Sequence, residues 1–169
     1  MRPRRRGGWR LTFGEWHFPC AIGRAGVTAD KREGDGATPL GSWPLRCLYL
    51  RPDKGLVPKS RLPAIFIRPN MGWSDGPLDP GYNSAVAWPW LHSAERLWRS
   101  DSLYDVIIPL GFNDVVPRPG GGSAIFLHVA RAGLTPTEGC VALRKPDLLA
   151  LLPALGQDCR LTVHATAMT

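Results

Sequence analysis

The sequence predicts a mostly-β fold, a sandwich or barrel-like assembly of short strands with short helices. Two observations carry this. Gly (19 residues) and Pro (17) fill about a fifth of the 169 positions, which demands many turns and leaves little room for long helices. Between those turns lie short runs that either alternate apolar and polar residues or are continuously apolar, the signatures of half-buried and fully buried strands.

Taken in order, Trp9 to Phe13 and Trp16 to Ala21 alternate around Gly14-Glu15 and read as a hairpin. Ala29 to Gly36 is a polar, Gly-punctuated loop, and Thr38-Pro39-Leu40-Gly41 turns into a strand-like run from Ser42 to Leu50. Ala64 to Arg68 reads as a short strand. Met71 to Tyr82 is rich in Gly, Pro and Asp and is expected to be a long, functional loop. Ser93 to Trp98 has the spacing of a short helix with Leu97 and Trp98 on its apolar side. Tyr104 to Leu110 and Ser123 to Ala130 are rich in Val, Ile, Leu and Phe and are expected as buried strands. Pro146-Asp147 opens a helix through Leu152, with Pro suited to the first turn and Asp favourable near the N-terminus. Arg160 to His164 closes the chain as an alternating strand. The total is about seven strands and two short helices.

Charge narrows the function classes. The 21 basic against 14 acidic residues give +7, but Arg2, Arg4, Arg5, Arg6 and Arg10 supply five of those charges. Residues 1–10 are therefore expected to form a flexible basic arm, and residues 11–169 a single domain carrying a surplus of only two. A nucleic-acid-binding domain carries its positive charge on the folded body, so nucleic acid is excluded as a partner. No apolar run approaches the ~18 residues of a transmembrane span. Arg10 and Glu15 interrupt the stretch after the arm, so no export signal is readable; a start elsewhere, an unusual route and a cytosolic protein all stay open. Cys20, Cys47, Cys140 and Cys159 show no C-x-x-C spacing, so no metal site is expected, and the first two with Cys159 read as free, mostly buried thiols.

G-x-S-x-G, H-E-x-x-H, G-x-x-x-x-G-K and S-x-x-K are all missing. Gly120-Gly121-Gly122 precedes a strand rather than a helix and reads as a turn. What is left is Ile125-Phe126-Leu127-His128 at the end of a strand, followed by Thr135-Pro136-Thr137-Glu138-Gly139-Cys140-Val141. A thiolate is the attacking form of Cys, and an imidazole within reach can take the thiol proton and return it to a leaving amine. Gly139 lets backbone approach a reacting atom, and amides around Cys140 can face a developing oxyanion. Spacing alone leaves two readings equally open, a Cys–His pair and a buried His beside a core Cys.

His128 with Thr137-x-Gly139-Cys140-Val141 resembles the YkuD family of L,D-transpeptidases, whose signature is a strand-end His followed by [S/T]-x-G-C. Lys31 to Gly41, with its Thr38-Pro39-Leu40-Gly41, is similar to that family's T-P-x-G segment. Ala94 to Trp98 with Leu103 to Val106, and Ile125 to Ala130, resemble its compact proteobacterial subgroup, so the resemblance runs from about Gly23 to Leu152.

The resemblance implies a mostly-β YkuD-like catalytic fold, Cys140 as nucleophile, and His128 as base, oriented by the backbone carbonyl of Val129. It implies attack on an L,D-amide of a peptidoglycan stem peptide and transfer of the acyl group to an acceptor amine. Donor and acceptor stem peptides are then the partners, the cell envelope the site of action, and neither metal nor organic cofactor is called for. A monomer is expected. Most relatives form 3-3 cross-links; some compact ones use the L,D bond after the first-position L-Ala and form 1-3 cross-links. Water as acceptor would give an L,D-carboxypeptidase or endopeptidase, and a reading from another class is a non-catalytic wall-binding module. The sequence departs from the family at Val129, where Gly is frequent, and at Ala142, where Arg is common. Arg144 is the nearest substitute for binding a substrate carboxylate. Thr137, His92, Trp73, Tyr82 and Asn83 complete the candidate substrate-binding set.

Overall fold

The computed structural model of the chain describes residues 8–55 and 58–165. It is mostly β. Residues 1–7, most of the expected arm, lie outside the described residues. Trp9 and Arg10, grouped with the arm by charge, belong instead to the first strand, because they pair with Cys20 and Pro19.

The strands are β1 (Trp9–Phe13), β2 (Trp16–Ala21), β3 (Val27–Thr28), β4 (Thr38–Pro39), β5 (Gly41–Pro44), β6 (Leu48–Leu50), β7 (Ala64–Phe66), β8 (Met71–Ser74), β9 (Ala85–Ala87), β10 (Ala94–Arg96), β11 (Val106–Pro109), β12 (Phe126–Val129), β13 (Val141–Leu143) and β14 (Arg160–Val163). Helix α1 (Lys145–Leu151) precedes β14 and runs into a 3-10 turn over Leu152–Ala154. Its Pro146 stands in the first turn, and Leu148 and Leu151, three apart, face the core.

One sheet has the order β1-β2-β13-β12-β11-β6-β7, a second β10-β8-β9, and β14 pairs with β5. Because side chains alternate along a strand, the central strands of the large sheet bury both faces, while the edge strands β1 and β7 are largely exposed. Val106, Ile108, Leu127, Val129, Val141 and Leu143 pack with Leu148 and Leu151 of α1. The opposite face presents Tyr49, Ile107, Phe126 and Cys140 toward the second sheet, whose Trp73 meets Phe126 edge-on at 5.1 Å.

Three expectations need correcting here, and the first is the count: fourteen strands stand among the described residues where about seven were expected, because many of them are only two or three residues long. Ser93 to Trp98 is not a helix: Ala94, Glu95 and Arg96 pair antiparallel with Ser74, Trp73 and Gly72. A six-residue segment gains little from helical hydrogen bonds of its own, whereas β8 offers it a full ladder. Correspondingly, Met71 to Tyr82 is not loop throughout, since its first four residues are β8.

The placement of the site follows from one pairing. β12 and β13 are adjacent and parallel, Leu127 opposite Val141 and His128 opposite Ala142. Parallel neighbours require a crossover, and residues 130–140 provide it, returning the chain so that Cys140 stands at the head of β13.

Candidate active site

In the β12–β13 register Cys140 falls beside Phe126, and the Phe126 N–H donates to Cys140 Sγ at 3.3 Å. His128 lies two residues further along β12, hence on the same face as Phe126 and diagonal to Cys140. Both residues line one cavity of about 480 Å³, walled by the crossover (Arg131, Thr135 to Glu138), by Glu33, Asp75 and Glu95, and by Tyr104 and Ser123.

His128 is oriented by its neighbours. Its Nδ1 lies 2.8 Å from the Val129 carbonyl oxygen. A carbonyl only accepts, so Nδ1 carries the proton and Nε2 keeps a free lone pair. Burial pushes the imidazole down to about 4, against the opposing pull of the Val129 and Leu103 carbonyls. At neutral pH the ring is an uncharged base. Tyr104 packs edge-on against it at 5.6 Å and donates its hydroxyl to Glu95 Oε1 at 2.6 Å. Burial raises the Glu95 carboxyl as well.

Burial also pushes the Cys140 thiol up to about 12, outweighing the Phe126 N–H that would stabilise a thiolate. The resting pair is therefore thiol and imidazole, not an ion pair. In this state the S–H donates to the Ala124 carbonyl at 3.1 Å. Ala124 has φ 51°, and its N–H donates to Asn83 Oδ1 at 3.0 Å.

The turn before Cys140 is pinned from three sides. Thr137 Oγ1 accepts from the Gly139 N–H at 3.2 Å and donates to the Cys140 carbonyl at 2.6 Å. Thr137 itself is held to the β2 extension through the Ile22 carbonyl and the Arg24 N–H, 2.8 Å each. Gly139 sits at φ 137°, and a Cβ there would come 2.9 Å from the Ala37 carbonyl oxygen. Finally, the buried Thr38 accepts from the Gly23 N–H at 2.9 Å and donates to the Gly139 carbonyl at 2.8 Å. The Thr-Pro-Leu-Gly run visible in the sequence thus acts on the nucleophile's turn from a strand some hundred residues away.

The chain belongs to the YkuD family of L,D-transpeptidase catalytic domains. That family's model matches residues 7–163, nearly the whole chain. No curated protein and no solved structure matches it. In this YkuD domain, the fold brings together His128, Thr137 and Cys140 as cavity-lining groups, with Gly139 and the Val129 carbonyl immediately behind them.

The other sequence candidates lie elsewhere. Arg144 is exposed and outside the cavity lining, because it follows β13 at the end away from Cys140. Ala142, where Arg is common in the family, is buried between His128 and Ala21 on the sheet. His92 is exposed, tilted against Trp90 at 6.3 Å. Trp73 and Asn83 stand behind the cavity wall: Trp73 Nε1 donates to Asn83 Oδ1 at 3.0 Å, and Asn83 Nδ2 to the Phe112 and Asn113 carbonyls. Tyr82 is buried, its hydroxyl donating to Glu33 and accepting from the Gly122 N–H at 3.0 Å. These three hold the wall in place rather than face the cavity.

Arg131, Asp75 and Glu95 escaped the sequence reading, since each reaches the cavity only through the crossover or the β8–β10 pairing. Cys20, Cys47, Cys140 and Cys159 are all free. Among the described residues no three His, Cys, Asp or Glu side chains converge as metal ligands, and no helix is long and apolar enough to cross a membrane.

Proposed function

We propose that this YkuD domain is a peptidoglycan L,D-transpeptidase acting at the cell envelope, with Cys140 as nucleophile and His128 as general base. The observation that carries the reading is the 2.8 Å contact of His128 Nδ1 with the Val129 carbonyl: it places the ring proton on Nδ1 and leaves Nε2 unprotonated, on a residue that lines the same cavity as the thiol.

In the proposed reaction the S–H leaves the Ala124 carbonyl and passes its proton to His128 Nε2 as sulfur bonds to the L,D-amide carbon. The tetrahedral oxyanion collapses, the C–N bond breaks, and imidazolium returns the proton to the departing amine. An acceptor amine then attacks the thioester, loses its proton to His128 and restores the thiol. The cross-link is 3-3 or 1-3 according to the bond used by the donor. Water in place of the amine gives the L,D-carboxypeptidase or endopeptidase reaction by the same steps.

Arg131 takes the substrate-carboxylate role that the sequence alone placed on Arg144. It lines the cavity and makes no ion pair among the described residues, so its five donors are available to a ligand. Arg131→Ala is expected to raise KM for a stem peptide about tenfold with little change in kcat, and Arg144→Ala to leave both within twofold. Steady-state release of the leaving amino acid measures both variants.

The function itself is tested on purified sacculi, with muropeptides analysed by mass spectrometry after incubation with wild type or Cys140→Ala. New dimers from wild type only are expected, and their fragmentation locates the bond. Shortened monomers without dimers would assign the hydrolase reaction. Unchanged muropeptides with wild type would contradict both and leave a wall-binding module.

A further inference from the structure

The β1–β2 hairpin carries an apolar stripe that the fold covers only in part. Directly paired residues share a face of a sheet, so the pairs Trp9–Cys20, Leu11–Phe18 and Phe13–Trp16 put six apolar side chains on one side. Cys20 is buried in the core, and Leu11 and Phe18 pack against that core. The stripe then runs past it: Trp9 is 39% exposed, Phe13 37% and Trp16 47%. Trp16 meets Phe18 edge-on at 6.1 Å, and on the other face the Thr12 hydroxyl and His17 Nδ1 lie 3.2 Å apart. The three exposed rings therefore stand on a paired ladder and not on a loop. Large apolar side chains gathered in this way mark a contact surface.

Charge identifies the contact. Residues 1–10 contain Arg2, Arg4, Arg5, Arg6 and Arg10 and no acid, and the hairpin adds one, Glu15 at its exposed turn. The arginines at positions 2 to 6 are tethered within about 25 Å of Trp9, the reach of seven extended residues. Residues 1–6 themselves hold only Met1 and Pro3 besides arginine, too little apolar surface to cover three rings. A second copy of the chain is opposed by the same charges, since a symmetric pairing of two stripes would bring two sets of five arginines together. An anionic lipid surface fits both parts. Its interface accepts Trp and other aromatic rings, and its negative potential favours each nearby Arg by about fivefold in partitioning.

We infer that the β1–β2 hairpin and the basic arm dock this domain on an anionic lipid surface, with Trp9, Phe13 and Trp16 entering the headgroup layer. The sheet also fixes what faces away. β2 pairs antiparallel with β13, Cys20 opposite Leu143 and Ala21 opposite Ala142, so the hairpin turn lies at the end of β2 remote from Cys140. At about 3.3 Å per residue along the two strands, the thiol stands roughly 20 Å from Trp16. The cavity is then carried above the lipid and not pressed against it. This docking is independent of the reaction assigned to Cys140.

The test is co-sedimentation of the full chain with vesicles of phosphatidylcholine alone or of equal parts phosphatidylcholine and phosphatidylglycerol, with the Tm of each protein as a check on folding. Wild type is expected to bind the anionic vesicles at least about tenfold more tightly than the neutral ones. Trp9→Thr, Phe13→Thr and Trp16→Thr together keep strand propensity and should weaken anionic binding at least about tenfold. Arg2→Gln, Arg4→Gln, Arg5→Gln and Arg6→Gln together should do the same. Glu15→Lys gives a result that misfolding cannot imitate: it should tighten anionic binding at least about fivefold. No preference for anionic vesicles, binding that survives the triple substitution with Tm unchanged, or no gain from Glu15→Lys would each overturn the docking. Retention by purified sacculi in preference to vesicles would also overturn it and assign the stripe to the wall. A dimer in light scattering that the triple substitution abolishes would assign the stripe to a second copy instead. Turnover of a soluble stem peptide should be unchanged in all these variants, so failure of the docking and failure of the transpeptidase reading are separate results.

Discussion

His128→Asn is expected to lower kcat/KM for a stem peptide by about 10⁴-fold at pH 7, the upper end of what a positioned general base contributes. The upper end applies because burial pushes the Cys140 thiol up to about 12, so almost no thiolate forms without a base. Asparagine can still donate to the Val129 carbonyl but cannot take a proton. The pH profile separates its chemical loss from simple misfolding. With imidazole pushed down to about 4 and thiol up to about 12, the neutral pair dominates across the intervening range. Wild-type kcat/KM should therefore be flat from about pH 6 to 9 and fall as the pH drops toward 4. The variant has only spontaneous thiolate, so its residual rate should climb about tenfold per pH unit. A loss of only a few-fold, or parallel profiles, would remove His128 as the base.

The same burial has a stability consequence. The His128 pKa falls from 6.5 in the unfolded chain to about 4 in the fold, so between these values the unfolded state binds more protons. Stability is then complete above about pH 6.5 and is lost as the pH falls through 4, by about 3 kcal/mol from this group. In denaturant titrations His128→Asn should show a correspondingly shallower decline over that window than wild type.

Gly139→Ala is expected to lower turnover by about 10²-fold and to cost stability as well. At φ 137° an L side chain is strained, and its Cβ would press on the Ala37 carbonyl oxygen, which belongs to backbone and cannot swing aside. Strain of this kind costs about 1–3 kcal/mol, a drop in Tm of roughly 4–8 °C at 2 kcal/mol for a chain of this size. Relief requires moving the Thr137–Cys140 turn, and an ångström's displacement of a nucleophile costs about 10²-fold in rate. Gly26→Ala is the control: φ is also positive at 82°, but nothing lies within 4 Å of the added Cβ. It should show the strain in Tm with turnover unchanged. Equal turnover in the two variants would mean that the Gly139 turn does not place the thiol.

The parts of the fold legible from sequence are those whose signal is local. The β1–β2 hairpin is written in two alternating runs around Gly14-Glu15, and β11 and β12 in continuous apolar runs of Val, Ile, Phe and Leu. β8 is hidden because Met71-Gly72-Trp73-Ser74 has no β-branched residue and sits in loop-like composition. With β8 unseen, the partner that makes β10 a strand is unseen too, and Ala94 to Arg96 reads as helix. β13 is only three residues long, too short for a period to show.

The site divides in the same way. His128, Gly139 and Cys140 stand close in the sequence as a strand-end His followed by a Gly-Cys pair, and the crossover between parallel strands brings them to a shared cavity wall. Arg131 and Asp75 enter the cavity through strand pairings that no local pattern encodes. Arg144 was the nearest cation along the chain to Cys140, but sequence proximity is a poor guide where β13 carries it away from the cavity.

The central claim is that Cys140 itself becomes acylated by a stem peptide. Acid-quenched reactions of wild type and Cys140→Ala with a tetrapeptide donor, analysed by intact mass and peptide mapping, test it most directly. Wild type should gain the mass of the donor minus its leaving amino acid, localised to Cys140, and Cys140→Ala should gain nothing. Product formation by wild type with no adduct, or the same adduct on Cys140→Ala, would contradict the assignment of the nucleophile.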